Sequence, residues 1–136
     1  NGADVAKCMA LGADAVAIGT AALVALGCND PKWDDEFKKI GSAAGFYDDY
    51  QEGKDPAGIS TQDPDLMKRL DPVAAGNRLA NYLRVLTLEV QTLARACGKN
   101  DLRNLEPEDL VALTVESAAM ARVPLAGTNW VPGQAF

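Results

Sequence analysis

The residues best suited to hold a ligand are a glycine and a threonine near the start of the chain. Residues 13–18 are small or β-branched, which is typical of a strand buried on both faces of a parallel sheet. Gly19 and Thr20 follow, and residues 20–26 continue as an apolar helix. Backbone N–H groups at a helix start lack partners within the helix, and the helix dipole favours negative charge there. This pattern predicts a phosphate site built on the backbone of Gly19 and Thr20.

The same residues have a second interpretation that involves no ligand. Any strand-to-helix turn in a parallel sheet can contain glycine and a hydroxyl residue, because both suit the turn and the helix cap. The residue types alone therefore leave phosphate binding and simple turn formation equally open. At the last strand of an eight-stranded β/α barrel, the same geometry holds the phosphate of a cofactor or sugar.

No complete catalytic set is found elsewhere in the chain. Histidine is absent, which excludes Ser-His-Asp and Cys-His nucleophiles and His-ligated metals. The three cysteines, Cys8, Cys28 and Cys97, are an odd number and do not form a secreted disulfide framework. We predict that they are buried small apolar residues of a cytoplasmic protein. Cys8 and Cys97 lie among apolar neighbours, so neither is expected to be a reactive thiolate.

The charge balance excludes some classes of partner. The 136 residues include 13 basic and 19 acidic side chains, a net charge of −6, with no basic stripe for nucleic acid. The apolar run 21–27 is far shorter than the about 20 residues of a bilayer span. Asp48, Asp49 and Glu52 lie in a glycine-flanked loop, where carboxylates are usually solvated, so we predict no metal site. The sequence therefore predicts a protein that binds neither nucleic acid nor membrane.

Apolar spacing and capping residues predict the elements that position these groups. Asp63 and Asp71 each precede a proline and are predicted to cap helices, which competes with a catalytic role for the loop 61–64. The expected helices are 3–11, 20–26, one that starts at Asn29-Asp30-Pro31 and breaks at Gly41, a long one at 72–97, and one from Pro107 through Met120. The long helix carries an apolar stripe of Leu79, Leu83, Leu86, Val90, Leu93 and Cys97, widened by Val85 and Leu88.

Two strings of the sequence resemble the FMN-binding synthase domain of the glutamate synthase family. They are GADVAKCMALGADAVAIGTAALVALGC at residues 2–28 and ISTQDPDLMKRL at residues 59–70. The resemblance extends from Gly2 to about Trp130 and is weakest between residues 29 and 54. The strings ALTVESAAMA and PLAGT near the end are similar to those of the glutamate-synthase-like subunit of N-methylglutamate synthase.

The resemblance implies an α/β fold, namely the C-terminal fragment of an FMN-binding (β/α)8 TIM barrel followed by a mostly helical extension. Gly19 and Thr20 match the positions that help to hold the FMN phosphate at the end of the eighth strand. A whole barrel takes about 250 residues, and the first helix lacks a preceding strand, so we expect a piece of a longer protein. The expected divisions are residues 1–28 for the barrel end, 29–62 for an inserted helix and loop, and 63–136 for the extension.

Glutamate synthases also have three cysteines that hold a 3Fe–4S cluster in the region where the resemblance is weakest. Cys28 matches the first of them, Asp55 stands in place of the last, and the middle one aligns roughly with Tyr50 or the inserted stretch. Because thiolates are the usual ligands of such clusters, we predict no iron–sulfur cluster. The inserted helix with Trp33 and Phe37 is expected to fill the space of the cluster.

The resemblance implies that reduced FMN converts an imine of 2-oxoglutarate and ammonia or an amine into glutamate or N-methylglutamate. The groups that contact the flavin ring and the oxo acid would lie upstream, and other subunits of a hetero-oligomeric synthase would be partners. A second hypothesis is a non-catalytic module that docks through the long helix and the tail 126–136, with Trp130 and Phe136 as its aromatics. A third hypothesis is another phosphate-binding barrel, such as a relative of inosinate dehydrogenase. It is less favoured because the string ISTQDPDLMKRLDP has no counterpart there.

Overall fold

A computed structural model describes residues 1–47 and 49–134, which are mainly helical. The α-helices are α1 (Gly2–Ala10), α2 (Thr20–Leu26), α3 (Asp34–Lys39), α4 (Pro64–Met67), α5 (Pro72–Ala96) and α6 (Val115–Ala121). Single 3₁₀ turns occur at Pro31–Trp33, Tyr50–Glu52, Leu102–Asn104 and Pro107–Asp109. The chain divides into two compact units, here called unit A (residues 18–84) and unit B (residues 1–17 and those from 85 onward).

The core of unit B is formed by α1, the second half of α5 and the segment that follows it. Its buried members are Ala6, Met9, Ala10, Val90, Ala94 and Leu105. Asn1 caps α1 by accepting a hydrogen bond from the amide of Asp4 at 3.1 Å. The amide of Gly2 donates to Oε2 of Glu89 at 2.7 Å, so a carboxylate of α5 satisfies one of the free N–H groups of α1.

A lysine surrounded by carboxylates holds the segment after α5. Nζ of Lys99 lies 2.8 Å from Glu106, 3.3 Å from Glu108 and 3.6 Å from Asp109. The hydrogen bond that Lys99 donates to Glu106 raises the pKa of Lys99 and lowers the pKa of Glu106. These charges connect the end of the long helix to the 3₁₀ turn at 107–109.

The last predicted helix begins later than the sequence indicates. Residues 107–109 form only one 3₁₀ turn, and the α-helix starts at Val115, where the Thr114 side chain accepts from the amide of Ser117. The backbone of Ala112 is engaged instead in a parallel bridge, with its amide donating to the carbonyl of Pro124 at 2.8 Å. Trp130 in the tail is half-buried. Phe136, the other predicted docking aromatic, lies outside the described residues.

Residues 13–18, predicted to be a strand, form no β-pair within the described part of the chain. A parallel strand needs neighbouring strands as hydrogen-bond partners, and the described residues provide none. Val16 packs against the core of unit B, whereas Ile18 is exposed. The prediction that α2 packs on all sides is also not met, since none of its residues is buried.

The observed bounds of the long helix α5 agree with the predicted bounds to within one residue. Its buried face, however, differs from the predicted apolar stripe. Val90 is buried as expected, and the others buried on the helix are the small residues Ala75 and Ala94. Val85 and Leu88 are more than half exposed rather than part of a core face. Leu83, Leu93 and Cys97 of the predicted stripe are also exposed. Neither α5 nor any other described helix has both the length and the apolar character that crossing a membrane requires.

The contact of Gly2 with α5 gives a stability prediction. A Cβ at Gly2 would lie 2.3 Å from Cβ of Glu89 and 3.0 Å from the carbonyl oxygen of Leu86, so Gly2→Ala must displace the helices. We expect a loss of about 1–3 kcal/mol in the free energy of unfolding, measured by urea denaturation. The control is Gly76→Ala, where the new methyl meets no atom within 4 Å. It should be neutral or stabilise by about 0.5–1 kcal/mol. Equal stability of the two variants would contradict this packing.

Candidate functional site

Gly19 and Thr20, the predicted phosphate-binding residues, lie at the exposed start of α2. Gly19 occupies the N-cap position, and its carbonyl accepts from the amide of Ala22 at 2.9 Å. No acceptor among the described residues meets the amides of Gly19 and Thr20. A Cβ placed at Gly19 would have no atom within 4 Å. The turn therefore presents open backbone donors and leaves room in front of them.

A small cavity brings residues of both resembling strings together in unit A. Its volume is about 10 Å³, which is room for no more than one water molecule. It is lined by Thr20, Leu23, Cys28, Gly45, Tyr47, Asp55 and Ser60. Thr20 comes from the first string and Ser60 from the second, a juxtaposition that the sequence alone did not predict.

Asp55 is a buried carboxylate that organises the turn after it. It is only 2 % exposed. Its Oδ1 accepts from the amide of Ala57 at 2.9 Å, and its Oδ2 accepts from the amides of Ile59 at 3.0 Å and Ser60 at 2.7 Å. Gly58 has a φ of +77°, and a Cβ there would lie 2.2 Å from the carbonyl oxygen of Leu66. The Asp-Pro-Ala-Gly string is thus a local turn signal, and the aspartate in it indicates the side-chain-to-backbone bonds seen here.

Cys28 is the buried thiol of this region. It belongs to a cluster with Phe37, Tyr47 and Ala57. Burial raises the pKa of the Cys28 thiol, and the nearby Asp55 carboxylate raises it further. Cys28 is therefore a protonated, apolar residue at neutral pH, as predicted.

The prediction of burial is wrong for the other two cysteines. Cys8 and Cys97 are both exposed. Both lie in unit B, Cys8 on α1 and Cys97 directly after α5. The buried contacts of these two helices are made by other residues, chiefly Ala6 and Met9 of α1 and Ala94 of α5. Apolar neighbours in sequence therefore did not place these thiols in the core.

The segment 31–47, which includes the inserted helix, supplies the aromatic side chains of the cluster around Cys28. Phe37 is completely buried, Trp33 is half-buried and Ile40 is exposed, so the predicted apolar edge is formed only in part. The rings of Phe37 and Tyr47 are 6.3 Å apart. The Tyr47 hydroxyl donates to the carbonyl of Asp49 at 2.6 Å and accepts from the amide of Lys54 at 3.2 Å.

Arg69 connects the inserted helix to the turn that Asp55 organises. Its Nη1 donates to Oε2 of Glu36 at 2.8 Å and to the carbonyl of Pro56 at 3.0 Å. Its guanidinium also lies 4.7 Å from the centroid of the Trp33 ring. Glu36 is 33 positions away in the chain, and no local pattern in the sequence indicates this contact.

Asp63 and Asp71 cap helices, as the sequence predicts. Asp63 accepts from the amides of Asp65 at 2.8 Å and Leu66 at 3.2 Å. Asp71 accepts in the same way at the start of α5. Thr61 is buried and donates to the carbonyl of Gly53, so these loop groups have structural partners.

The described residues contain no group of three or more Cys, Asp or Glu side chains that could hold a metal ion. Asp48, one member of the acidic loop considered in the sequence, lies outside the described residues. Cys28 and Asp55 are the two residues at cluster-ligand positions whose side chains the structure describes, and the Asp55 carboxylate is occupied by backbone amides.

The environments of the three thiols give a labelling prediction. In the native protein at pH 8, a disulfide reagent such as Ellman's reagent should modify Cys8 and Cys97 quickly. The rate of modification of Cys28 should be lower by at least about tenfold, because burial and a raised pKa reduce the amount of accessible thiolate. Cys28→Ser identifies the slow phase by removing it. A native rate for Cys28 equal to that of Cys97 would contradict the burial described here.

The comparisons with known proteins match both of the strings singled out in the sequence, residues 2–28 and 59–70. The conserved region in glutamate synthase matches residues 1–33 and 51–100, so the interruption contains α3 and Tyr47. The chain is 76% identical over 134 residues to the glutamate synthase large subunit-like protein of Rhizobium meliloti (strain 1021), covering 98% of this chain and 30% of that protein. No solved structure matches the chain significantly.

More distant relatives show the same relationship. The archaeal-type glutamate synthase (NADPH) of Thermotoga neapolitana is 43% identical over 105 residues, which is 77% of this chain and 18% of that protein. The archaeal glutamate synthase (NADPH) of Methanocaldococcus jannaschii is 43% identical over 103 residues, 76% of this chain and 17% of that protein. The chain thus spans less than a third of the length of these relatives. Because the family region matches more than half of its residues, the chain belongs to the glutamate synthase family.

Proposed function

We propose that this chain is part of an FMN-dependent oxidoreductase of the glutamate synthase type. The whole protein makes glutamate or N-methylglutamate from 2-oxoglutarate and ammonia or an amine. The observation that carries the proposal is the open amide turn at Gly19 and Thr20, which lies inside the family-matched residues 1–33. The relatives' names support the glutamate synthase activity.

In this function the chain contributes the phosphate end of the flavin site. The amides of Gly19 and Thr20 donate hydrogen bonds to phosphate oxygens, and the absence of a side chain at Gly19 lets the phosphate approach the backbone. Bound FMN supplies hydride transfer, and the protein supplies binding and orientation. The residues that contact the flavin ring and the oxo acid belong to the remainder of the protein.

The fold that we propose for the whole protein is the (β/α)8 barrel. Residues 13–18 would be its last strand, pairing with strands that the described residues do not include. Their small and β-branched composition and the absence of a β-partner for them among the described residues support this assignment. Paired in this way, the strand would deliver its carboxyl end, and with it Gly19, to the barrel face where such enzymes bind phosphate.

A docking module is the second candidate function, favoured by exposed apolar side chains in unit B. On α5, Val85 and Leu88 are 56% and 57% exposed, and after the bridge Leu113 and Met120 are 85% and 87% exposed. Apolar surface of this kind is typical of interaction sites. In this role the chain would associate with other subunits of a synthase without contacting the flavin.

Substitution of Gly19 separates the two functions. In the full-length protein, Gly19→Ala places a methyl where the phosphate would bind but meets no protein atom within 4 Å. We expect an unchanged melting temperature and a loss of bound FMN of about fivefold or more, since a hydrogen bond to a charged phosphate is weakened. FMN is measured by absorbance after release with denaturant.

The matched control is Gly76→Ala, which also adds a methyl with no atom within 4 Å and should leave FMN content unchanged. Full FMN content in Gly19→Ala would overturn the phosphate site. If in addition Leu113→Asp and Met120→Asp abolish subunit association, the docking function is the correct one.

A further inference from the structure

We propose that Asp55, Phe37 and Arg69 form a protein-only replacement for an iron–sulfur cluster, and that Asp55 is the positioning residue for the turn 57–60 beside the flavin phosphate site. The first part concerns this chain's own packing and does not depend on the flavin. The second part rests on the proposed function. The two parts are therefore tested by different readouts.

The donor set in unit A does not fit a cluster. Iron–sulfur clusters are held by thiolates, and Cys28 is the one cysteine among residues 18–84. Its thiol is buried against Phe37. Asp55, at the position of the last cluster ligand, directs both carboxylate oxygens at three backbone amides. To bind a metal, the Asp55 carboxylate would have to give up those hydrogen bonds.

The space in unit A also does not fit a cluster. Phe37 has no exposed surface, and it packs with Cys28, Tyr47 and Ala57. The remaining cavity beside Cys28 and Asp55 is about 10 Å³ and holds at most one water. Phe37 and Tyr47 belong to residues 34–50, which the family region does not match. The insertion thus brings the side chains that fill this core.

Side chains make the connections between chain segments that a shared cluster would otherwise make. Asp55 joins its own position to residues 57–60. Arg69 joins α3, through Glu36, to the carbonyl of Pro56, and it stacks on Trp33. Because Arg69 donates from one Nη1 atom to both partners, it couples the inserted helix directly to the turn. These bonds are directional, so they fix geometry as well as proximity.

The turn held by Asp55 forms one wall of the cavity next to the proposed phosphate site. Ser60 has the shortest of the three amide contacts, 2.7 Å, and lines this cavity together with Thr20. Loss of the Asp55 carboxylate would leave one buried and two partly buried amides without this acceptor and release Ser60 from this wall. Asp55 contacts neither substrate nor flavin in this account, so its role is to position other residues.

The first part of the proposal, the non-covalent replacement of the cluster by Asp55, Phe37 and Arg69, is here called the cross-link. It is tested by metal analysis of the full-length protein purified without oxygen. We expect no stoichiometric iron or acid-labile sulfide in the wild type or in Asp55→Cys, because one added thiol does not open the space that Phe37 fills. Stoichiometric iron and sulfide in the wild type would overturn the cross-link. This result is independent of FMN content.

The positioning role is tested by titrating flavin-depleted protein with FMN. Asp55→Asn keeps the shape but loses an acceptor oxygen, and we expect its Kd for FMN to rise by about fivefold or more. Val90→Ala, a cavity variant in unit B at a site 2 % exposed, should lower the melting temperature without changing that Kd. Equal Kd values for these two variants would overturn the positioning role.

Arg69→Lys is a second variant in case Asp55→Asn does not fold. It keeps the charge but loses the paired contacts with Glu36 and Pro56, so it should raise the Kd for FMN and accelerate labelling of Cys28. Wild-type values of both quantities would overturn the role of Arg69. A wild-type protein that binds no FMN would overturn the proposed function and the positioning role together, while the iron analysis still decides the cross-link.

Discussion

The structure around the candidate site depends on one buried carboxylate and the three amides that it satisfies. A carboxylate removed from water is costly unless hydrogen bonds replace its hydration. Asp55 meets this condition with backbone donors alone, and so it holds residues 57–60 in one conformation. The buried cluster of Cys28 and Phe37 and the contact of Arg69 with Pro56 surround the same turn. We propose that a cluster ligand has in this way been replaced by a determinant of local structure.

Local signals predicted the helices well because each is set by neighbouring residues. The caps at Asp63 and Asp71 and the start of the 72–96 helix follow from side chains within a few positions. The late start of α6 was missed because Ala112 pairs with residues twelve or more positions away. The predicted strand 13–18 was not formed because strand pairing depends on partners that the described residues lack.

The candidate site was predictable only in part, for the same physical reason. Gly19 and Thr20 were found from a turn pattern, and Asp55 was found from its place in a family motif. What Asp55 does depends on how the chain folds back on itself, and the contact of Arg69 with Glu36 spans 33 positions. The exposure of Cys8 and Cys97 likewise depends on which helix faces pack, which apolar neighbours in sequence did not reveal.

The most direct test of this account is a crystal structure of the full-length protein with FMN. The account predicts the flavin phosphate within hydrogen-bond distance of the Gly19 and Thr20 amides, with Phe37 packed on Cys28 and the Asp55 carboxylate bonded to its three amides. A phosphate bound elsewhere would contradict the flavin site. An iron–sulfur cluster between Cys28 and position 55 would contradict the cross-link.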